Sequence, residues 1–405
     1  MKSKLLILLT AFCFISCTNS HKKQNSQIQN CSQNAKIHYA KGFIINYFQE
    51  YTQLIVRNPW DSTKTLDSYV LVDRDKKLPV HLPGGTVVRT PVERVAFASS
   101  VHAGMWNQLN KAQLTVGVCE PEYFSIPVIK EGLKNGKIAD LGMATSINIE
   151  KLIAAAPEIL IVSPFENTKR TEFDKVKLVV VKDASYMEES PLGRAEWIKF
   201  EAAFTNENKL ADKIFNKIEK NYLELCSRVT ATKNRPTVFT EKKFGDIWYI
   251  AGGKSYLGRF MKDAGANYLW KELDQSGSAP FSFEKVYAKA VKADYWLLKY
   301  NDRQGDMTYE TLKNEYNLYA NFNAFNQKHV YAINTAKTPF YESGPMEPDR
   351  VLADLVHIFH PELLPGYKPK YYFNLEKDKK NHINNRRTTL REKYLCTENC
   401  IITIS

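Results

Sequence analysis

Three side chains that could meet a metal stand where apolar runs give way to loops. They are His102 in Ser99-Ser100-Val101-His102, Tyr123 in Cys119-Glu120-Pro121-Glu122-Tyr123, and Tyr341 in Thr338-Pro339-Phe340-Tyr341-Glu342. A bare transition-metal ion needs several such ligands converging, and one histidine with two phenols supplies too few. Direct metal ligation by the protein is therefore not expected; an intact chelate is, with these three groups in contact with it. His357 and His360 are three apart near a helix end and have no carboxylate or cysteine partner in the pattern, so they read as structural. The chain contains no Gly-x-Ser-x-Gly, Walker or His-Glu-x-x-His signature, and Gly252-Gly253-Lys254-Ser255 lacks the first glycine that a phosphate loop requires. No catalytic set is expected.

The elements that must carry these loops alternate. Val95-Ala-Phe-Ala98, Leu114-Thr-Val-Gly-Val118, Ile159-Leu-Ile-Val162 and Leu178-Val-Val-Val181 are short continuous apolar runs, the kind buried on both faces of a parallel sheet. Past Pro236 the alternation resumes with Thr237-Val-Phe-Thr240, Tyr295-Trp-Leu-Leu298 and Val330-Tyr-Ala-Ile333. One pattern occurs twice: Asn148-Ile149-Glu150-Lys151 and Ser282-Phe283-Glu284-Lys285 each open a capped helix that feeds a buried strand. The expected fold is α/β, two Rossmann-like lobes joined by a single long helix. That helix is read within the connecting segment 195–235, from Asn208 to Val229, where Leu210, Ile214, Ile218 and Leu225 recur at helical spacing. Residues 92–194 form one lobe and 236–375 the other. Ahead of them, 41–91 is rich in β-branched and aromatic residues broken by Asn58-Pro59 and Asp73-Arg-Asp-Lys-Lys77, which predicts an N-terminal β-hairpin or meander insert. Ligand groups belong in the loops after the strands, where open α/β sheets present their binding edge. On the first lobe these supply Ser99, His102, Glu122, Tyr123 and Phe165; on the second, Trp248, Tyr249, Phe281, Phe340 and Tyr341.

The ends carry addresses rather than fold. Lys2 and Lys4 precede Leu5–Ile15, an apolar stretch too short for the roughly 20 residues a membrane span needs. Residues 1–16 thus read as a lipoprotein signal peptide, with Cys17 the acylated first residue of the mature chain and 17–40 a polar tether. The remaining cysteines, Cys31, Cys119, Cys226, Cys396 and Cys400, match neither a disulfide framework nor a zinc site. Net charge is +12, of which the first 23 residues carry +4 and the basic tail 376–405 carries +3, leaving +5 on the body. Such a body argues against a nucleic-acid surface.

Several pieces, taken in order, resemble one family. Arg94-Val-Ala-Phe-Ala-Ser99, Val116-Gly-Val118, Asn148-Ile-Glu150 with Ala156-Pro-Glu-Ile159, Gly252-Gly-Lys-Ser-Tyr-Leu257 with Ala264-Gly-Ala-Asn267, and Ser343-Gly-Pro345 with Phe359-His-Pro-Glu362 are similar to the substrate-binding proteins of ABC importers for iron–siderophore complexes, haem and vitamin B12. The resemblance implies a ligand held between two lobes, a ferric siderophore or haem in preference to a corrinoid, with no cofactor and no enzymatic step. It implies an ABC permease and its ATPase as partners, Glu150 and Glu284 as the permease-docking acids, and a monomer anchored by lipid on the periplasmic or cell-envelope face of a bacterial membrane. Aromatic loops suit a large flat ligand. Two other classes stay open: a chelatase stripping metal from a tetrapyrrole, using His102 with Glu120 or Glu122 as acid and base, and a sensory or adhesive surface lipoprotein using the 41–91 insert.

Overall fold

The computed structural model describes residues 33–166, 173, 176 and 178–376. The signal segment, Cys17, Cys31 and the tail with Cys396 and Cys400 lie outside the described residues.

The chain opens on a five-stranded sheet, β1 (Gln33–Asn34), β2 (Phe43–Tyr47), β3 (Thr52–Arg57), β4 (Thr65–Asp73) and β5 (Thr86–Thr90), in sequential order. The first four pair antiparallel, as a meander should, but β5 pairs parallel to β4. The loop between Asp73 and Thr86 is long enough to carry the chain back to the start of β4, which a tight hairpin turn cannot do.

The first lobe follows: β6 (Val95–Phe97), α1 (Ser100–Gln108), β7 (Thr115–Val118), α2 (Pro127–Lys134), β8 (Ala139–Asp140), the small hairpin β9 (Gly142–Met143) and β10 (Ser146–Ile147), α3 (Ile149–Ala155), β11 (Ile159–Val162) and β12 (Val179–Lys182). Its sheet runs β12-β11-β6-β7-β8, every neighbouring pair parallel. All four residues of β11 are buried, as a strand covered on both faces requires. Three helices then link the lobes, α4 (Pro191–Glu196), α5 (Ile198–Ala203) and α6 (Asn208–Thr230). Within the stretch 195–235, the helix read from Asn208 to Val229 is α6, and the residues ahead of it form short helices instead of extending it. The chain breaks at Thr205-Asn206, where Asn206 takes φ 59°, a left-handed conformation that asparagine tolerates and a helix does not. Only α6 is long, roughly 34 Å at about 1.5 Å per residue. Near its start Glu207 pairs with Lys111 of the first lobe at 2.8 Å. Further along, Tyr222 donates to Asp263 at 2.8 Å and Asn221 to Asp349 at 2.9 Å.

The second lobe comprises β13 (Thr237–Thr240), β14 (Lys243–Phe244), β15 (Ile247–Ala251), α7 (Tyr256–Asp263), β16 (Asn267–Tyr268), β17 (Ser278–Phe281), α8 (Phe283–Ala290), β18 (Tyr295–Tyr300), α9 (Tyr309–Glu315), α10 (Asn323–Asn326), β19 (Val330–Asn334), α11 (Phe340–Ser343), α12 (Pro348–Phe359) and β20 (Phe373–Asn374). The main sheet runs β16-β13-β18-β19-β20, parallel except for β20. A side sheet, β14-β15-β17, is antiparallel.

Residues 33–40, read as the end of a tether, are part of this fold. Glu196, fully buried on α4, accepts the backbone N–H groups of His38, Tyr39 and Ala40 at 2.7–3.0 Å and the Lys199 ammonium at 2.9 Å. Glu188 accepts from Lys41 N, Gly42 N and Trp197 Nε1. Phe43 and Tyr69 of the insert pack against Trp197, Phe200 and Phe204. The insert is thereby joined to the lobe by core and by hydrogen bonds, with its strands and the first lobe in one hydrophobic cluster.

Candidate functional site

In each doubly wound sheet the strand order reverses once, and the crevice at that point, beyond the carboxyl ends of the strands, is where ligands sit. The reversal falls between β6 and β11 in the first lobe and between β13 and β18 in the second. Loops leaving those strands and their neighbours enclose two cavities that share Asn301, the residue after β18. One, of about 470 Å³, lies between Ser99, Glu120 and Tyr123 on the first lobe and Thr335, Phe340 and Tyr341 on the second. The other, of about 970 Å³, is walled by the second lobe: Lys243, Phe244 and Tyr249 of the β14–β15 hairpin, Tyr256 of α7, and Lys299 and Asp302 around the end of β18. Both are of the size that small-molecule sites have.

Local chemistry fixes these walls. Ser99 caps α1, its hydroxyl accepting from Val101 N at 3.4 Å. Glu120 and Glu241, each just after a sheet strand, hold φ 52° and φ 64°, a strained geometry for residues with a side chain and one that gathers at ligand sites. The lobes touch through Glu342, only 3% exposed, whose carboxylate accepts from Ser125 N at 3.0 Å and Ile126 N at 3.4 Å and also from the Ser125 hydroxyl. Burial pushes the Glu342 pKa up, and those donors oppose the rise. Gly104 of α1 sits where an added Cβ would lie 1.9 Å from the Glu342 carbonyl oxygen, so only glycine permits α1 and α11 to approach this closely. Lys299 pairs with Glu241 beneath the second cavity. Burial works against its charge, yet Glu241, with Tyr372 and Tyr341, holds the pKa above the usual lysine value.

The structure brings Ser99, Tyr123, Phe340 and Tyr341 together around the smaller cavity and sets Tyr249 in the larger. Tyr123 and Tyr341 are each about half exposed. Glu122 is exposed on the same turn as Tyr123 but lines neither cavity, and Phe165 is exposed with its ring 6.0 Å from Tyr186. Trp248, Phe281 and His102 line neither cavity and need correction. Trp248 is fully buried, its indole N–H donating to Thr240 O at 3.0 Å within a cluster of Phe239, Trp296 and Phe322. Neighbouring side chains on a strand point to opposite faces, so β15 turns Trp248 inward and Tyr249 outward. Phe281, opposite Trp248 in the side sheet, is half-buried against Trp270 and is likewise structural. His102 is also buried. Its Nε2 lies 3.5 Å from Ser163 Oγ and 3.9 Å from Asp183 Oδ1, and burial lowers its pKa despite the Asp183 charge. It therefore does not reach a bound chelate, nor does it form an acid/base pair with Glu120 or Glu122.

Phe124, Asn301 and Thr335 lie outside the loops singled out in the sequence; Asn301 and Thr335 immediately follow strands, and the loop-after-strand rule applied strictly finds them. Phe244, Tyr256 and Lys299 carried no such signal. Among the described residues no group of three or more His, Cys, Asp or Glu is arranged to hold a metal, and no helix is long and apolar enough to cross a membrane. Glu150 and Glu284 both stand exposed in the first turns of matched helices, α3 and α8. Their own caps are Asn148, accepting from Lys151 N at 2.9 Å, and Ser282, accepting from Lys285 N at 3.5 Å. Its own backbone N–H and the Ser282 hydroxyl hold the Glu284 pKa below the usual value.

A family model described as periplasmic binding protein matches residues 116–336, more than half of the chain. An uncharacterized lipoprotein of Methanocaldococcus jannaschii is 26% identical over 392 residues, covering 89% of this chain and 91% of that protein. Among solved structures, an ABC-type Fe3+-hydroxamate transport system protein of Saccharomonospora viridis aligns with a TM-score of 0.52 at 16% identity, covering 67% of this chain and 94% of the other. A periplasmic vitamin B12 binding protein of Vibrio cholerae aligns with a TM-score of 0.51 at 12% identity, covering 66% and 97%. At such identities the two structures speak for the fold.

Proposed function

The chain belongs to the periplasmic binding protein family, and from that premise we propose that it is the substrate-binding lipoprotein of an ABC importer, capturing a metal chelate between its lobes and handing it to the permease. The observation that carries this reading is the position of the cleft: loops from both strand-order reversals meet around two joined cavities edged by Tyr123, Tyr249, Phe340 and Tyr341. Exposed rings bury a large chelate surface at small entropic cost. Glu150 and Glu284 are the groups that engage basic residues of the permease, steering association and fixing register more than adding affinity. Cys17 carries the lipid; the relative from Methanocaldococcus jannaschii is itself named a lipoprotein. That relative is archaeal, so the reading places the anchor on the outer face of a cell envelope without restricting it to bacteria. The chelatase alternative needs His102 in the cleft, and His102 is buried and lines neither cavity.

Tryptophan fluorescence titrated with haem, a ferric catecholate, a ferric hydroxamate and cyanocobalamin tests capture, and uptake with the cognate permease and ATPase in proteoliposomes tests delivery. One of these chelates should bind at one per chain and come off unchanged. The double variant Glu150→Lys/Glu284→Lys should bind it equally well and deliver none. Metal-free product accumulating catalytically, or no binding by any of the four, overturns the reading.

A further inference from the structure

From the charges on the cleft walls we infer that the ligand is a neutral or cationic chelate, as ferric trihydroxamates and corrinoids are, and not an anionic one such as a ferric tris-catecholate or a haem with ionised propionates. The inference rests on the chelate-binding reading above and narrows it. No arginine lines either cavity among the described residues, and of the three lysines that do, two are ion-paired while Lys243 keeps its charge over a tyrosine ring. Lys242 pairs with Glu315 at 2.5 Å, Lys299 pairs with Glu241, and Lys243 lies 4.2 Å over the Tyr316 ring. Lys337, at the edge, is taken by Asp306 at 2.9 Å.

The acids are less fully matched. Glu120 lines the smaller cavity and its carboxylate has neither a hydrogen-bond nor an ion-pair partner among the described residues. Asp302 lines the larger one, accepting from Gln304 N at 2.8 Å but meeting no cation among the described residues. The two sit on opposite lobes, one after β7 and one after β18. An anionic chelate seated between them meets carboxylates with only Lys243 to offset them, in a half-open site where repulsion is stronger than in bulk water but is still weakened by salt. The aromatic edges act in the same sense, because the faces of Tyr123, Tyr249 and Tyr341 carry the negative side of the ring quadrupole and attract cations.

The test is calorimetric binding of ferric trihydroxamates of matched size carrying charges of +1, 0 and −1, with a ferric tris-catecholate alongside, at low and high salt. The expected order is cationic, then neutral, then anionic. The tris-catecholate should bind about a hundredfold or more weaker than the neutral chelate, a spread that salt narrows. In Glu120→Gln/Asp302→Asn, checked for an unchanged melting temperature, the cationic preference should shrink about tenfold. Anionic chelates binding as tightly as neutral ones, or a double variant with an unaltered preference, overturn the inference while leaving capture standing. Failure of every chelate at every charge instead overturns the reading beneath it.

Discussion

In the first lobe and the helices that follow it, a group of ionisable side chains is buried away from water. Glu201 and Asp183 are both fully buried, and Trp106 donates its indole N–H to Glu201 at 2.7 Å. Burial raises the Glu201 pKa well above the ordinary carboxylate value, and the adjacent Asp183 raises it further. The folded protein therefore keeps a proton on Glu201 that the unfolded chain gives up once the pH exceeds about 4.5. The native state binds more protons in that range, so this group's contribution is intact below the unfolded pKa and is lost as pH rises. Glutamine copies the protonated acid, accepting from Trp106 and donating to Asp183. Glu201→Gln should thus match wild type near pH 4 and exceed it in melting temperature by a margin that widens toward pH 8; a margin constant with pH would contradict a protonated Glu201. His102 acts at the other end. Its depressed pKa means the unfolded chain takes up a proton first as pH falls below about 6.5, and stability declines there. Which residues line the cleft was legible where a loop directly follows a strand, as for Ser99, Tyr123 and Tyr341. It was not legible for Trp248, because Ile247-Trp248-Tyr249-Ile250 is bulky and apolar on both faces. Its inward face is set by packing on Phe239, Trp296 and Phe322 and by the hydrogen bond to Thr240 O, contacts made only in the folded lobe.

Among the elements, the matched helices α3 and α8 were readable because their start signals are local: a capping Asn or Ser, then an apolar run. The long helix was readable from Asn208 on because Leu210, Ile214, Ile218 and Leu225 recur at helical spacing, whereas that spacing says nothing of the two short helices ahead of it. The anchoring of residues 33–40 was beyond local reading, since its acceptor, Glu196, lies more than 150 residues away. That anchor makes a sharp prediction. Glu196→Ala leaves three backbone N–H groups without their acceptor and takes one partner from the Lys199 ammonium, which keeps Lys36 O and Asp212; it should cost about 3–5 kcal/mol in urea unfolding. Glu196→Gln keeps an acceptor oxygen and should cost about 1–2 kcal/mol. A Glu196→Ala protein within about 0.5 kcal/mol of wild type would show the segment to be only laid on the surface.

At the scale of the molecule, two doubly wound sheets present their strand-order reversals to each other, and this sets where a ligand is held. Glu342 ties α11 to the loop after β7, and α6 runs from Glu207 beside Lys111 to Asp263 and Asp349 in the second lobe. Lobes linked by that contact and by a long helix should close through small rotations rather than a wide hinge. The duplicated architecture was visible in the sequence because each half repeats the same helix-to-strand order. The charge of the cleft was not, because whether a lysine is free or paired depends on residues far apart, as Lys242 and Glu315 are. The central claim is that the cleft between the lobes is the ligand site, and titration calorimetry tests it directly, comparing wild type with Tyr123→Ala/Tyr341→Ala. With the chelate that binds wild type most tightly, the account predicts one site per chain, weakened about a hundredfold or more when both rings are removed. An affinity unchanged in the double variant would place the ligand elsewhere on the protein and contradict the account.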